Sequence, residues 1–508
     1  MNTRRPGERW TGRSLSGLVT VSIAAACGLV IALRLRQAGS PMTFDEYASI
    51  YFSRHNFSEL WGWWMLRETN PPLFYSVLKL WRMAVPESEA ALRALPLVIS
   101  LAQIGLVAWF AARTYGRLAV LLCLILFALS PSDIFVSDYI RGYGLAKLAV
   151  TISFLGLVAE LRGIPSGGRG WIAYAAGSVV AIYCHTTMLA WPVIATGAVL
   201  FDAAIGSGID RARVYRLLVA DFVIVILSAW VVTLAVIQLS KRAANISWIE
   251  PLSLADYGSS LNLQLLLDGT ASSAAMALLL VVGILRTWGE QVTRLALFIV
   301  LLAIVLFKAA DLVHPVVSDY TLHWCAIFTT LMASASLAER NAASWSTRRA
   351  LKLSAPIVAI VAILAIGLYE LFEDVWIPQP QDFRYTIRTV ARAPNAVLLV
   401  SHESMGVVVQ QACMIEFHRP SCPFRLIVMA NPAQSDSWAF GGYRGPITAV
   451  RAVPAASAAA QTVYAFSRYV YTPLDQLGLD PGDYREVQWD DGELIGPIPP
   501  EDFISANH

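Results

Sequence analysis

Two neighbouring carboxylates, Asp45 and Glu46, stand just beyond the first strongly apolar run of the sequence, Leu15 to Leu33. A carboxylate within hydrogen-bond reach of a proton can act as a general base. An acid at the edge of an apolar span puts that base at a membrane surface. Neighbouring side chains on a helix point about 100° apart, so one site need not use both acids. Either could instead cap the short run Tyr47–Phe52 or serve as a surface charge. Further on, Ser137-Asp138-Tyr139-Ile140-Arg141-Gly142-Tyr143 supplies a guanidinium fork suited to phosphate, with Asp138 as its alternative ion-pair partner. His185, followed by two threonines, could bind phosphate or sugar, orient Asp45, or simply be buried and hydrogen-bonded. Lys308 lies in an apolar run, where an unpaired cation is costly, and is a candidate for a lipid phosphate. Asp319-Tyr320 opens a later apolar run. The outer acids could hold a divalent cation through oxygen ligands, although their spacing does not demand one, and the metal and cofactor content stays open. His402-Glu403 and His418 stand isolated. No phosphate-binding glycine loop and no dinucleotide fingerprint between a strand and a helix is present.

The elements that must position these residues are mostly apolar helices. Of the 508 residues, 56% are hydrophobic and only 15% charged, against about 25% charged in ordinary soluble domains. With a mean hydropathy of +0.56, this is a polytopic membrane protein. No basic tail or binding motif points to nucleic acid. Candidate spans fall at 15–35, 95–112, 118–130, 143–160, 171–186, 188–206, 217–238, 271–285, 293–309, 320–338 and 353–371, about eleven in all. With the N-terminus inside, arginines concentrate in the segments on the cytoplasmic side and acids on the opposite one, as the positive-inside rule requires. An odd count leaves the C-terminus outside.

The expected division is a transmembrane domain over 1–372, with residues 36–94 as a structured first outer loop, and an extracytoplasmic soluble domain over 373–508. In the outer loop, Phe57–Trp64 reads as an interfacial helix, and Pro71-Pro72 starts a helix over Leu73–Trp81. Past the linker Glu373–Gln381, short apolar runs at Ala396–Val400, Arg425–Ala430, Ile447–Val450 and Val463–Phe466 predict a small α/β domain. The tail 490–508 reads as poorly ordered. Cys413 and Cys422 could pair in an oxidising compartment; the other four cysteines read as packing residues.

These motifs resemble those of the multispanning GT-C glycosyltransferases that use polyprenyl-phosphate sugars, such as protein mannosyltransferases and lipid A aminoarabinose transferases, in their bacterial branch. The resemblance covers roughly residues 40–372. It rests on the acidic pair Asp45-Glu46, on Asn70-Pro71-Pro72-Leu73-Phe74-Tyr75 with Lys79-Leu80-Trp81, and on Ser88-Glu89…Leu92-Arg93-Ala94-Leu95-Pro96. Weaker matches are Ser137–Tyr143 to a Ser-x-Glu-x-Arg-x-Tyr pattern and Cys184-His185 to a Thr-His. Asp319-Tyr320 stands where the family has Arg-Tyr. The resemblance implies an all-α polytopic GT-C-like fold in the bacterial inner membrane and inverting transfer of a sugar at its outer face. The donor would be a polyprenyl-phosphate sugar, and the acceptor an envelope glycan, glycolipid or protein. Asp45 would be the base, and Arg93, Arg141 or Lys308 would meet the phosphate of the leaving group. A transporter or flippase would instead carry paired repeats and broken helices. A non-catalytic assembly subunit would use 373–508 as its binding module.

Overall fold

In the computed structural model, the described residues are 7–339, scattered positions from 360 to 369, and 382–499, less short gaps, of which the longest are 241–248, 430–447 and 451–461. The chain divides into two compact units. One comprises Met1–Ala38, Pro96–Thr233 and Ile249–Ile377; the other comprises Gly39–Leu95, Leu234–Trp248 and Pro378–His508. The first outer loop, expected with the transmembrane domain, thus clusters with the C-terminal residues. The expected linker 373–381 lies outside the described residues.

Helix α1 (Gly7–Gln37) carries the first apolar run. The outer loop contributes α2 (Phe44–Ser53), the single turn α3 (Phe57–Leu60) and α4 (Leu73–Ala84). The helices α5 (Glu89–Tyr115), α6 (Arg117–Leu129), α7 (Pro131–Asp138), α8 (Tyr143–Leu161), α9 (Arg169–Cys184) and α10 (Ala190–Ile205) follow. Next come α11 (Arg211–Leu227), α12 (Ala229–Ser240), α13 (Leu254–Leu265), α14 (Thr270–Thr287), α15 (Gln291–Val313) and α16 (Ala326–Ser334).

Among the described residues, six helices are long and apolar enough to cross a membrane, or up to eight if each of two bent pairs is one span. The count differs from eleven for physical reasons. The run at 118–130 ends at Ser130, whose hydroxyl caps α7, and Pro131 takes the first helical position, a place proline favours; α6 and α7 meet at 72°. The run at 217–238 bends by 60° at Ser228. Helix α9 has 16 residues, about 24 Å at 1.5 Å each, short of a bilayer core. The run at 320–338 is broken by tight turns at His323–Cys325 and Ala335–Leu337, and its residues from Thr321 to Ala338 are buried, so it packs as an interior element. The span at 353–371 lies largely outside the described residues.

Close packing in this unit depends on small residues. A Cβ on Gly156 of α8 would come within 2.5 Å of the Gly170 carbonyl oxygen, and one on Gly177 of α9 within 2.6 Å of that of Ala149. At this contact the Trp191 indole donates to the hydroxyls of Ser153 (2.9 Å) and Ser178 (3.1 Å).

In the other unit, the interfacial helix expected over 57–64 shrinks to α3 and a tight turn at Trp63–Arg67, divided by an extended Gly62. Pro72 opens α4 as expected. The C-terminal part contains α17 (Phe383–Arg392), α18 (Glu403–Phe417) and strands β1 (Val397–Val400), β2 (Arg425–Met429), β3 (Thr448–Val450), β4 (Val463–Arg468), β5 (Glu486–Trp489) and β6 (Gly492–Ile498). The strand order is β3-β2-β1-β4-β6-β5, parallel as far as β4 and antiparallel beyond it. Each apolar run expected here forms a strand. The tail is the exception to the reading: β6 lies between β4 and β5, burying Leu494, Ile495 and Ile498 despite its glycines and prolines.

Cys413 of α18 and Cys422 are bonded, with 5.1 Å between their Cα atoms, inside the usual range for a bridge. Alkylation of protein taken from its native compartment should label these two thiols only after reduction. Label on either one beforehand, read by peptide mass, would sink the pairing.

Candidate functional site

Helix α2, which carries the acidic pair, is fixed at both ends. Thr43 caps it: the Glu46 amide donates to the Thr43 hydroxyl at 3.3 Å, and the Thr43 amide donates to Glu46 Oε2 at 2.8 Å. This reciprocal cap satisfies two otherwise orphaned donors. Glu46 is also gripped from the side. Arg93 donates from Nε to Oε1 at 2.9 Å and from Nη2 to Oε2 at 2.8 Å, with both residues almost fully buried. The remaining donors of Arg93 bind the carbonyl oxygens of Ser40 and Pro41. The chain entering α2 is therefore tied to the head of α5. Asp45, at the second helical position, keeps a half-buried side chain.

At the other end of α2, Arg82 of α4 donates to the Ser53 hydroxyl at 3.0 Å. Arg82 and Arg54 both pair with Glu87. Burial works against the charge of Glu87, but hydrogen bonds and attraction from Arg82 and Arg54 outweigh it and hold its carboxyl below the usual range.

In the helical unit, the structure gathers several of the expected residues. The segment Ser137–Tyr143 forms the end of α7 and the turn into α8. Tyr143 lies 4.8 Å, ring to ring, from His185 and 5.9 Å from Tyr320. Phe135 stacks on Tyr320 at 5.1 Å, and Tyr139 completes the group. Arg141 is half-buried and within electrostatic reach of His185. His185 sits at the break between α9 and α10, with Nδ1 2.7 Å from the Thr187 hydroxyl. Asp138 is buried at the end of α7. Lys308 stands elsewhere on α15, donating to the Leu252 carbonyl oxygen at 2.7 Å and to Asp311 at 3.2 Å, over the ring of Tyr257. Asp319 and His402 lie outside the described residues. No group of three or more His, Cys, Asp or Glu side chains among the described residues is placed to hold a metal ion.

Sequence reasoning missed a second constellation in this unit. Asp133 of α7 is buried with three side-chain partners. It pairs with Arg34 of α1 and Lys147 of α8; His323 Nε2 lies 3.4 Å from Asp133 and 3.2 Å from Lys147. Asp138 adds to the negative field at Arg34. Beside the group is a small crevice, also bordered by Ser100, Gln103, Ser137 and Gly144. The available signal was that Lys147 and Asp133 each interrupt an apolar run, where a charge needs a partner.

No family model matches the chain, and no curated protein matches it. Among solved structures it is similar to ArnT from Cupriavidus metallidurans. With the apo form it shares 13% identity at a TM-score of 0.56, over 97% of this chain and 99% of that one. With the form bound to undecaprenyl phosphate it shares 11% identity at 0.58, over 95% and 98%. The apo oligosaccharyltransferase of Archaeoglobus fulgidus aligns at 10% identity and 0.50, over 82% of this chain and 65% of that one. The chain therefore has the GT-C fold, and with it the architecture that its sequence motifs resemble.

Proposed function

We propose that the protein is a glycosyltransferase that moves a sugar from a polyprenyl-phosphate donor to a hydroxyl of an envelope glycan, glycolipid or protein, at the outer face of the inner membrane and with inversion. The supporting observation is a GT-C fold along nearly the whole chain, joined to a helix in which the half-buried acid Asp45 stands next to Glu46, itself held in a buried clamp. The acceptor oxygen attacks the anomeric carbon from the face opposite the phosphate. Asp45 takes its proton as the new bond forms, and the bond from carbon to phosphate oxygen breaks. The lipid phosphate leaves with the electron pair, and a cation stabilises it.

Glu46 and Arg93, both first considered for direct roles, are assigned to positioning, because each carries the other's charge. Lys308 is committed to Asp311 and a carbonyl. Arg141, whose guanidinium fork suits a phosphate and which stands at the turn into α8 near His185, is assigned as the phosphate ligand. The half-buried rings of Tyr143, Tyr320 and His185 beside it offer a surface for the donor.

Purified protein incubated with synthetic polyprenyl-phosphate sugars and an extracted envelope fraction should yield a glycosylated product. No product from any such donor would end the transfer reading. Arg141→Ala should weaken donor binding roughly 10- to 100-fold, the worth of charge-assisted hydrogen bonds, and Arg141→Lys should rescue poorly, since a fork is not a point charge. Unchanged donor affinity in both variants would move the phosphate elsewhere.

A further inference from the structure

Helix α2 has ten residues, fewer than the roughly 12–15 at which an isolated helix becomes even marginally stable. Its direction must come from tertiary contacts. The clamp of Glu46 and Arg93 fixes the first turn and Arg82 holds the Ser53 end, but the face of the helix between these two anchors needs its own contacts to set its rotation. These come from residues that the sequence assigns to a separate soluble domain. Tyr47, two positions after Asp45 and only 1% exposed, meets Phe383 of α17 edge-on at 5.4 Å. Phe383 in turn meets Phe466 of β4 edge-on at 5.3 Å. The Tyr47 hydroxyl donates to Glu89 Oε1 at 2.9 Å, and Glu89 Oε2 lies 3.3 Å from Arg384 Nη1. At the far end of α2, Arg54 Nε donates to Gln411 of α18 at 2.6 Å.

Resting on the proposed transfer reaction, we propose that Tyr47, Phe383 and Arg384 are positioning residues for Asp45. The C-terminal α/β domain is then part of the catalytic framework rather than only a module for the acceptor. Tyr47 suits the task chemically. Burial and the neighbouring Glu89 carboxylate push its hydroxyl well above the usual tyrosine range, so it remains a neutral donor at any working pH. Glu89 links that donor to the α/β domain, because its second oxygen faces Arg384. Loss of any member lets α2 move without removing an atom from the reacting centre. A misplacement of about 1 Å can cost as much as 100-fold in rate.

The test uses full-length protein in lipid nanodiscs and needs no substrate for its first readout. Hydrogen exchange of the peptide covering 44–53 should quicken roughly tenfold in Tyr47→Phe and in Arg384→Ala, about the worth of one hydrogen bond to a charged group. Peptides covering β1 and β4 should keep their protection, which separates movement of α2 from unfolding of the domain. Arg384→Lys should restore slow exchange, because one donor suffices at this contact. With a polyprenyl-phosphate sugar that the wild type uses, turnover in Tyr47→Phe and Arg384→Ala should fall about tenfold with the acceptor KM unchanged.

Unchanged exchange over 44–53 in both variants overturns the proposal. So does a raised acceptor KM with unchanged turnover, which would make Arg384 an acceptor ligand. If the wild type uses no polyprenyl-phosphate donor, the transfer reading fails while the exchange data still decide whether these residues hold α2.

Discussion

In Asp45→Asn protein, turnover falls by about 10²–10⁴, the usual worth of a general base, while the protein folds and binds donor as before. The amide keeps the size of the side chain and loses the basic oxygen. Nothing in the clamp depends on the Asp45 side chain: the cap uses Thr43 and Glu46, and the buried ion pair uses Glu46 and Arg93. The first turn of α2 should therefore survive the change. Glu46→Gln should behave differently. It leaves the Arg93 guanidinium buried without its counter-charge, and removal of one partner of a buried pair typically costs about 3–5 kcal/mol. Its effect should appear as lost thermal stability and lower yield, with the folded fraction keeping more activity than Asp45→Asn. Rates per folded molecule and melting curves of the two variants, measured side by side, check the assignment. Near wild-type turnover in Asp45→Asn, or full stability with abolished turnover in Glu46→Gln, would exchange the roles of the two acids or remove both.

How much of this could be read from the sequence depends on the range of the interaction. Local signals carried well. Alternation of apolar runs with turn residues marked β1 to β4, and Pro71-Pro72 marked the start of α4. The position of Asp45 and Glu46 just past an apolar run marked α2 as worth attention. Pairing across distance was not legible. Arg93 was a candidate phosphate ligand because sequence displays a charge without its partner, and Glu46 is 47 residues away. Phe383 and Arg384 fell inside the expected 373–508 domain, and nothing in the sequence signals their contacts with Tyr47 and Glu89. The breaks expected at 130 and at His185 are present, but the bend at Ser228 was not legible, because the chain stays apolar there while the backbone turns. The strand β6 was hidden by Gly496 and Pro497, which normally interrupt strands but here lie in one that is hydrogen-bonded on both sides.

Asp133 is the residue whose removal should cost most stability. It is the acid between two buried cations, Arg34 and Lys147, in a unit built of apolar helices. Arg34 also donates to the carbonyl oxygens of Phe127 (3.2 Å) and Val30 (3.3 Å), so it cannot swing out to water without breaking contacts between α1 and α6. Asp133→Asn keeps the shape and removes the charge. Two cations then face each other inside the bundle, and the loss should reach at least the roughly 3–5 kcal/mol seen when one buried pair is broken. The protein should melt far earlier in detergent, or fail to accumulate in the membrane. Asp133→Leu combined with Arg34→Leu and Lys147→Met removes the charges together. Well-packed apolar replacements of a buried ionic group are often neutral or stabilising, so the triple variant should recover much of the lost stability. That recovery separates a charge effect from simple loss of packing at α7. An Asp133→Asn protein that melts with the wild type would mean that the two cations find other partners. A triple variant no better than Asp133→Asn would mean that the group is needed for its polarity, and the crevice bordered by Gln103, Ser137 and His323 would then be the place to seek the reason.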